Sequence, residues 1–440
     1  MGRTCLAAER RLRGQNRVPR PPARTKAQKA LGLVELDGTN GRITGNRLNT
    51  EPKRFSTPLM NSSATTARAY ARARLLLSLG SGGLELGLLI AFLWSGASLA
   101  LAHWLNPSAA LRVLEYVLLV SAGFKLLDLP LSWVGRRIEI RFGMNRQSVA
   151  SWLGDEAKGT ALAAGLGLGG AELLYWLLRS SPQQWWLWSW ALITIFVVVM
   201  AQIGPVLLLP LFFKLLPLSE DNPVAQRLQA TYAAMRTRDP RLPKLHGIFE
   251  FKLGEKTAKA NAALTGWGRT RRVIISDTLL EASPPEEIEA VFLHELGHHV
   301  HRDIWRGLAF QSGLLALGLW LSSLALAWLA TGLRLSAISD VAGLPLILIV
   351  FTVMGLILMP ASNGFVRAME RRADDYSFAA MGTAQPLMAG LRRLAEKNLA
   401  EVEPPLWKEW LLYSHPSIAT RLRRGAAWET ANGRRPAAAS

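Results

Sequence analysis

His294, Glu295 and His298 form His-Glu-x-x-His within the stretch Ser283-Pro-Pro-Glu-Glu-Ile-Glu-Ala-Val-Phe-Leu-His-Glu-Leu-Gly-His-His-Val-His301. At i and i+4 on a helix, the two imidazoles lie one turn apart on one face, where both can reach a single metal ion. Glu295, beside the first histidine, can take a proton from a water on that ion. A histidine pair on a helix is also a common polar surface feature. Histidine usage favours the metal: the chain has seven, and His294, His298, His299 and His301 fall within eight residues. His299 and His301 point off the ligand face.

The element carrying these residues has start signals. Ser283 is a candidate N-cap, Pro284 suits the first helical position, and Glu286 completes a capping box. Glu286, Glu287 and Glu289 favour the positive end of the helix dipole. A third protein ligand is normal at a catalytic zinc, leaving one position open. Glu370 and Asp374, at i and i+4 in Arg367-Ala-Met-Glu-Arg-Arg-Ala-Asp-Asp375, offer one carboxylate for the metal and one to orient a histidine. An exposed charged helix face, paired locally with Arg371 and Arg372, explains the same residues. His415, in the polar turn Ser414-His415-Pro416, reads by itself as a surface histidine.

Composition sets the frame. At 440 residues and 50% hydrophobic, the chain is too long and too apolar for one small soluble domain. Its single cysteine, Cys5, excludes an internal disulfide and a cysteine metal cluster. The net charge is +19, and residues 1–60 hold 13 Lys/Arg against 4 Asp/Glu. No aromatic-interleaved basic fold accompanies that tail, so nucleic acid is not expected as a partner; anionic membrane lipid is.

Residues 1–70 read as a disordered basic tail. A transit peptide and a start of translation at Met60 are both open. Six apolar runs then have spanning length: Leu76–Ala102, Val113–Leu131, Gly159–Leu178, Trp185–Phe213, Leu308–Ala330 and Val341–Pro360. Trp185, Trp186, Trp188 and Trp190 read as an interfacial aromatic belt. Loop 132–158 carries Arg136, Arg137, Arg141, Arg146 and Lys158, which predicts a cytoplasmic position for it. Alternation of spans then puts 214–306, and everything after Pro360, on the same side. Within 214–282, Asn222–Arg236 reads as an amphipathic helix. Lys244–Phe251, Thr257–Thr265 and Arg272–Ser276 read as short strands, and an exposed edge strand there could pair with an extended peptide.

Taken in order, these blocks resemble the type I CAAX prenyl proteases, integral-membrane zinc endopeptidases, and their bacterial relatives. The resemblance runs from about Leu126 to Arg424. It is carried by Ile138-Glu-Ile-Arg-Phe-Gly-Met-Asn145, Pro210-Leu-Phe-Phe-Lys214, Ala260-Asn-Ala262, Arg272-Val-Ile-Ile-Ser-Asp277, His294-Glu-Leu-Gly-His298, Arg367 with Glu370 and Asp374, and Ser414-His-Pro416. It implies that His294, His298 and Glu370 bind one Zn2+ per chain, with Glu295 as general base. Asp374 would orient a histidine ligand and His415 would stabilise the oxyanion. Asn261 and Ala262 would lie on the strand that holds the substrate backbone. Val366 and Ser417 depart from the family pattern beside the site, which bears on substrate preference.

The implied fold is mainly α and polytopic, a helical membrane barrel enclosing a chamber, with a zincin-like catalytic α+β insertion. The expected organisation is a tail at 1–70, about four spans in 71–213, the catalytic insertion at 214–306, two spans in 307–360, a helical part with the third ligand at 361–425, and a second tail at 426–440. The expected activity is hydrolysis of peptide bonds near the C-terminus of prenylated or membrane-associated proteins. A bacterial inner membrane with a cytoplasmic site is the expected setting, and oligomeric state is left open. The alternative is membrane-protein quality control without prenyl specificity. An intramembrane site-2-type protease would need an aspartate ligand from a late span, and no span offers it. A non-enzymatic transporter or scaffold would need a ligand or the base missing, and none is.

Overall fold

The computed structural model describes residues 58–433, apart from 241, 243–244, 267–270 and 334, with backbone alone at 58–63. Residues 1–57 of the expected tail lie outside the described residues. The chain is already helical at Pro58, and Ala67 and Tyr70 are buried, so 58–70 belong to a helix rather than to a tail. Tyr70 donates its hydroxyl to Glu139 at 3.3 Å, which ties this helix to a later one.

The fold is mainly α and polytopic. Among the described residues, six helices are long and apolar enough to cross a membrane. They are α1 (Pro58–Trp94), α3 (Ala109–Arg141), α4 (Val149–Ser180), α5 (Trp185–Leu207), α10 (Asp303–Gly332) and α11 (Leu344–Met381). A 3₁₀ turn, Val341–Gly343, leads into α11. In α5 the most apolar window has mean hydropathy 2.2 and no residue buried by the rest of the chain. Such a surface needs lipid to cover it. The corresponding window leading into α11 is 44% buried, so α11 packs at the centre of the group.

Two expectations change. The first apolar run is not continuous: Gly96 takes φ 77°, and the short α2 (Ala97–Trp104) starts after it. The tryptophan belt is also partial. Trp185 is buried and stacks on Phe351, and the Trp190 indole N–H donates to Ser312, leaving Trp188 exposed.

The insertion follows α5 through α6 (Leu209–Phe212). It contains α7 (Pro223–Arg238), α8 (Asp277–Ala282), α9 (Pro285–Val300) and a sheet of β1 (Leu215–Pro217), β2 (Gly247–Phe251), β3 (Ala262–Thr265) and β4 (Arg272–Ser276). The sheet order is β1-β2-β4-β3; β2 and β4 are parallel and the other pairs antiparallel. The run Val273-Ile274-Ile275 is buried on both faces, as a central strand requires. β3 is an edge strand and runs beside α9.

α9 is buried nearly all round, Glu287, Glu289 and His294 included. One face, with Ile288, Phe292 and Leu296, packs on Leu228 and Tyr232 of α7 and on Ile275. Another, with Ala290 and Val291, packs on Phe378 of α11 and on Leu387, Met388 and Leu391 of α12 (Gln385–Lys397). The helix start differs from expectation. Ser283 ends α8, its N–H donating to Leu279 C=O, and Pro284 is the N-cap with Pro285 as first residue. The Ser283 hydroxyl makes no capping bond. Two consecutive prolines shift the helix start beyond the serine's reach.

The chain closes with α13 (Leu406–Leu412) and α14 (Ile418–Ala431), so part of the expected C-terminal tail is helical.

Candidate functional site

The site forms where α9 crosses α11. The crossing is close because of Gly297: a Cβ there would sit 3.0 Å from the Tyr376 Cβ and 3.1 Å from the Ala373 Cα. Glycine lets the two backbones approach, and that approach brings His294 and His298 onto Glu370. His298 Nε2 lies 3.2 Å from Glu370 Oε1, and His294 Nε2 lies 3.4 Å from Glu370 Oε2.

One ligand atom from each of the three residues lies within 4.8 Å of the others. Zinc bonds such donors at roughly 2.0–2.2 Å, so tetrahedral partners stand about 3.4 Å apart. The two histidine–glutamate distances, one to each carboxylate oxygen, already have that spacing. Glu370 Oε2 is also buried with no hydrogen-bond donor, which is costly for a carboxylate oxygen unless a cation meets it. The residues fit a metal.

Each histidine is held from behind. His294 Nδ1 lies 3.0 Å from the fully buried Asp374, and Arg421 of α14 forks onto the same carboxylate. His298 Nδ1 lies 3.0 Å from buried Asp303, whose other oxygen accepts from Arg372 at 2.7 Å. A carboxylate on Nδ1 fixes ring orientation and leaves Nε2 facing the metal position. Burial alone would push His298 down; the Glu370 and Asp303 carboxylates outweigh it and raise it to about 9. His294 moves the same way, with burial again opposed by Asp374 and Glu370. His299 goes the other way: burial and the Arg271 charge hold it down to about 4, neutral and off the cluster. His301 Nδ1 meets Gly297 C=O at 2.8 Å and its ring packs edge-on against Tyr376.

His415 is at the rim, 60% exposed at the side chain, with Nε2 3.4 Å from Glu370 Oε1. Its loop is held by α11: Arg367 donates to the Glu409 and Tyr413 carbonyls at 3.0 and 2.6 Å, and Asn363 to Leu411 at 2.7 Å. These carbonyls belong to the end of α13, whose last turn otherwise lacks partners. Glu295 follows His294 directly on α9 and is half-buried. Asn261 and Ala262 fall at the start of β3 beside α9.

Sequence reasoning did not single out Asp303, Arg372 and Arg421 as partners of the ligands. Asp303 left one trace, an acid just past the end of the helix, after Arg302 in a left-handed conformation (φ 56°).

The sequence matches the family description "Peptidase family M48" over residues 223–429 and "CAAX prenyl protease N-terminal, five membrane helices" over residues 45–214. Among curated proteins it is similar to the uncharacterized metalloprotease YhfN of Bacillus subtilis, at 27% identity over 87% of this chain and 89% of that one. It is similar to the CAAX prenyl protease 1 homolog of Arabidopsis thaliana, at 29% identity over 71% of this chain and 73% of that one. It is 29% identical to CAAX prenyl protease 1 of Saccharomyces cerevisiae over 72% of each chain. The crystal structure of S. mikatae Ste24p has the same fold, with TM-score 0.71 and 24% identity, covering 86% of this chain and 92% of that one.

Proposed function

We propose that the chain is a member of peptidase family M48, whose description matches residues 223–429, with a CAAX prenyl protease N-terminal membrane region in front of it at 45–214. It is an integral-membrane, multi-pass metallopeptidase that hydrolyses peptide bonds. The metal is zinc, held by His294, His298 and Glu370. The observation that carries this reading is the buried Glu370 carboxylate, which has one imidazole Nε2 at 3.4 Å from one oxygen and the other at 3.2 Å from the second.

Bound there, zinc supplies Lewis acidity, lowering the pKa of a water and polarising the scissile carbonyl. The protein does the rest. Glu295 takes the water's proton and delivers it to the leaving amine. His415 donates to the oxyanion as charge develops. Asp374 and Asp303 keep Nδ1 of the two ligand histidines occupied, so that Nε2 stays available. The strand of Asn261 and Ala262 holds the substrate backbone as an added strand, along the open edge of β3 that starts at Ala262.

The substrate is a membrane-associated protein cut near its C-terminus, prenylated or not, at the cytoplasmic side of a bacterial inner membrane. Arg136, Arg137 and Arg141 at the end of α3, Arg146 in the connection and Lys158 in α4 support that orientation, although the expected loop 132–158 is mostly helical. Clearance of damaged membrane proteins without prenyl specificity is the second reading, and the similarity to YhfN leaves room for it. The test uses purified full-length protein, its zinc content and a quenched fluorogenic peptide. Glu295→Gln retains zinc and loses hydrolysis; His294→Ala loses both. Full hydrolysis by Glu295→Gln would overturn the assignment of the base. Comparing prenylated with unprenylated peptides separates the two substrate readings.

A further inference from the structure

We propose that Asn398 is a positioning residue that closes the open edge of β3 at Ala260 and thereby fixes the register in which a peptide can pair with that strand. The proposal rests on the reading of β3 as the substrate strand.

The argument starts from strand parity. Ala262 lies opposite Ile275 and Thr265 opposite Arg272. The same register continues one residue upstream, where Ser276 N–H donates to Asn261 C=O at 2.9 Å and Asn261 N–H donates to the Ser276 hydroxyl at 2.9 Å. Backbone groups of successive strand residues point to alternate edges. Asn261 therefore directs its N–H and C=O toward β4, and Ala260, Ala262 and Leu264 direct theirs to the open edge.

At Ala260 that edge is already filled. Ala260 N–H donates to Asn398 Oδ1 at 2.8 Å, and Asn398 Nδ2 donates to Ala260 C=O at 3.1 Å. One carboxamide makes the two bonds that a neighbouring strand would make. The first rung left for a peptide is Ala262.

This stop is fixed relative to the metal ligands. Asn398 caps the C-terminus of α12, where its N–H donates to Leu394 C=O. Leu399 then takes φ 47°, the left-handed region glycine favours, and Ala400 N–H closes the turn on Ala395 C=O at 2.9 Å. α12 is in turn bound to α9 by Arg393, which forks onto Glu287 at 2.8 and 2.9 Å. Stop and ligand helix are thus rigidly joined. A peptide paired at Ala262 and Leu264 cannot extend its pairing past Ala262, so on that side of the scissile bond the site accepts a short, fixed length of chain.

The test uses the purified, zinc-loaded full-length enzyme and fluorogenic peptides lengthened one residue at a time on either side of the cleaved bond, with products mapped by mass. In the wild type, kcat/KM falls about tenfold or more beyond a fixed length on one side only. Asn398→Gly relaxes that limit several-fold and adds cleavages displaced by two residues, the repeat of open-edge rungs. Asn398→Asp keeps the bulk and the acceptor for Ala260 N–H but sets an oxygen against Ala260 C=O in place of the Nδ2 donor, so it relaxes the limit less than Asn398→Gly. If Asn398→Gly loses its zinc, Asn398→Ser is read by the same criteria. A wild type with no length limit, or an open variant that cuts the same bonds with the same length profile at a changed rate, overturns the proposal. Hydrolysis that persists in Glu295→Gln sinks the underlying site reading instead; Glu295-dependent hydrolysis with unchanged registers sinks only the role of Asn398.

Discussion

Asp303 lies 3.0 Å from His298 Nδ1 and reaches it across the end of α9, from the first turn of the next helix. The contact has a counterpart at the other histidine, where Asp374 stands at the same distance from His294 Nδ1. Each carboxylate is backed by an arginine, Arg372 for one and Arg421 for the other. The metal position is therefore supported by two parallel chains of histidine, carboxylate and guanidinium, built from α9, α10, α11 and α14.

If these chains orient the ligands, Asp303→Asn weakens zinc affinity by about tenfold to a hundredfold, the usual loss when such a partner is removed. The rate at saturating zinc changes much less. Competition with a calibrated chelator measures the first and peptide hydrolysis the second. Unchanged affinity would mean that Asp303 merely closes the helix junction.

Gly297 offers a separate handle on the geometry. A methyl group there meets the Ala373 backbone, which cannot rotate away. Gly297→Ala therefore pushes α9 off α11, costing on the order of 1–3 kcal/mol in overpacking. It also spreads the histidines from Glu370. The expected result is a lowered Tm together with lost zinc, although no ligand is altered. A variant with wild-type zinc affinity would show that the crossing can relax without opening the site.

The metal-free site carries a pH signature. His298 is raised from 6.5 to about 9, so in the folded apo protein it binds its proton more tightly than in the unfolded chain. That stabilisation is full below pH 6.5 and is lost as pH rises through about 9. Thermal unfolding of the metal-free protein should move to lower temperature across this window. Zinc needs the neutral imidazole, so zinc affinity should rise over the same range. A metal-free Tm that is flat from pH 6.5 to 9, in a protein that still binds zinc, would contradict the raised value.

The sequence was informative where one element carried the whole signal. Apolar runs of spanning length and the i, i+4 histidines each lie on a single helix. Glu370 and Asp374 repeat that spacing, but an exposed charged helix face shows it too, and only the family resemblance joined them to the histidines. Arg372, Arg421 and Asn398 had no such mark: their partners lie 69, 47 and 138 residues away in the chain. A charged side chain looks solvated until the fold supplies its counter-charge. The start of α9 was misread for a local reason, since Ser283 serves the end of α8. Pro360 does not end the helix either; α11 continues through it, so one helix joins the last apolar run to the third ligand.

Arg367 gives the last prediction. Its guanidinium holds the Glu409 and Tyr413 carbonyls, and Tyr413 is two residues from His415. Arg367→Lys keeps the charge, but its shorter side chain leaves the ammonium short of the place from which Arg367 Nη1 donates to both carbonyls. The His415 imidazole should then sit out of line with the developing oxyanion, and kcat should fall by up to about a hundredfold, with zinc content unchanged. His415→Ala sets the ceiling for that loss. Because both changes act through one side chain, Arg367→Lys added to His415→Ala should cost little more. Losses that multiply fully in the double variant would show that Arg367 acts elsewhere, and loss of zinc in Arg367→Lys alone would move its role from the oxyanion to the metal.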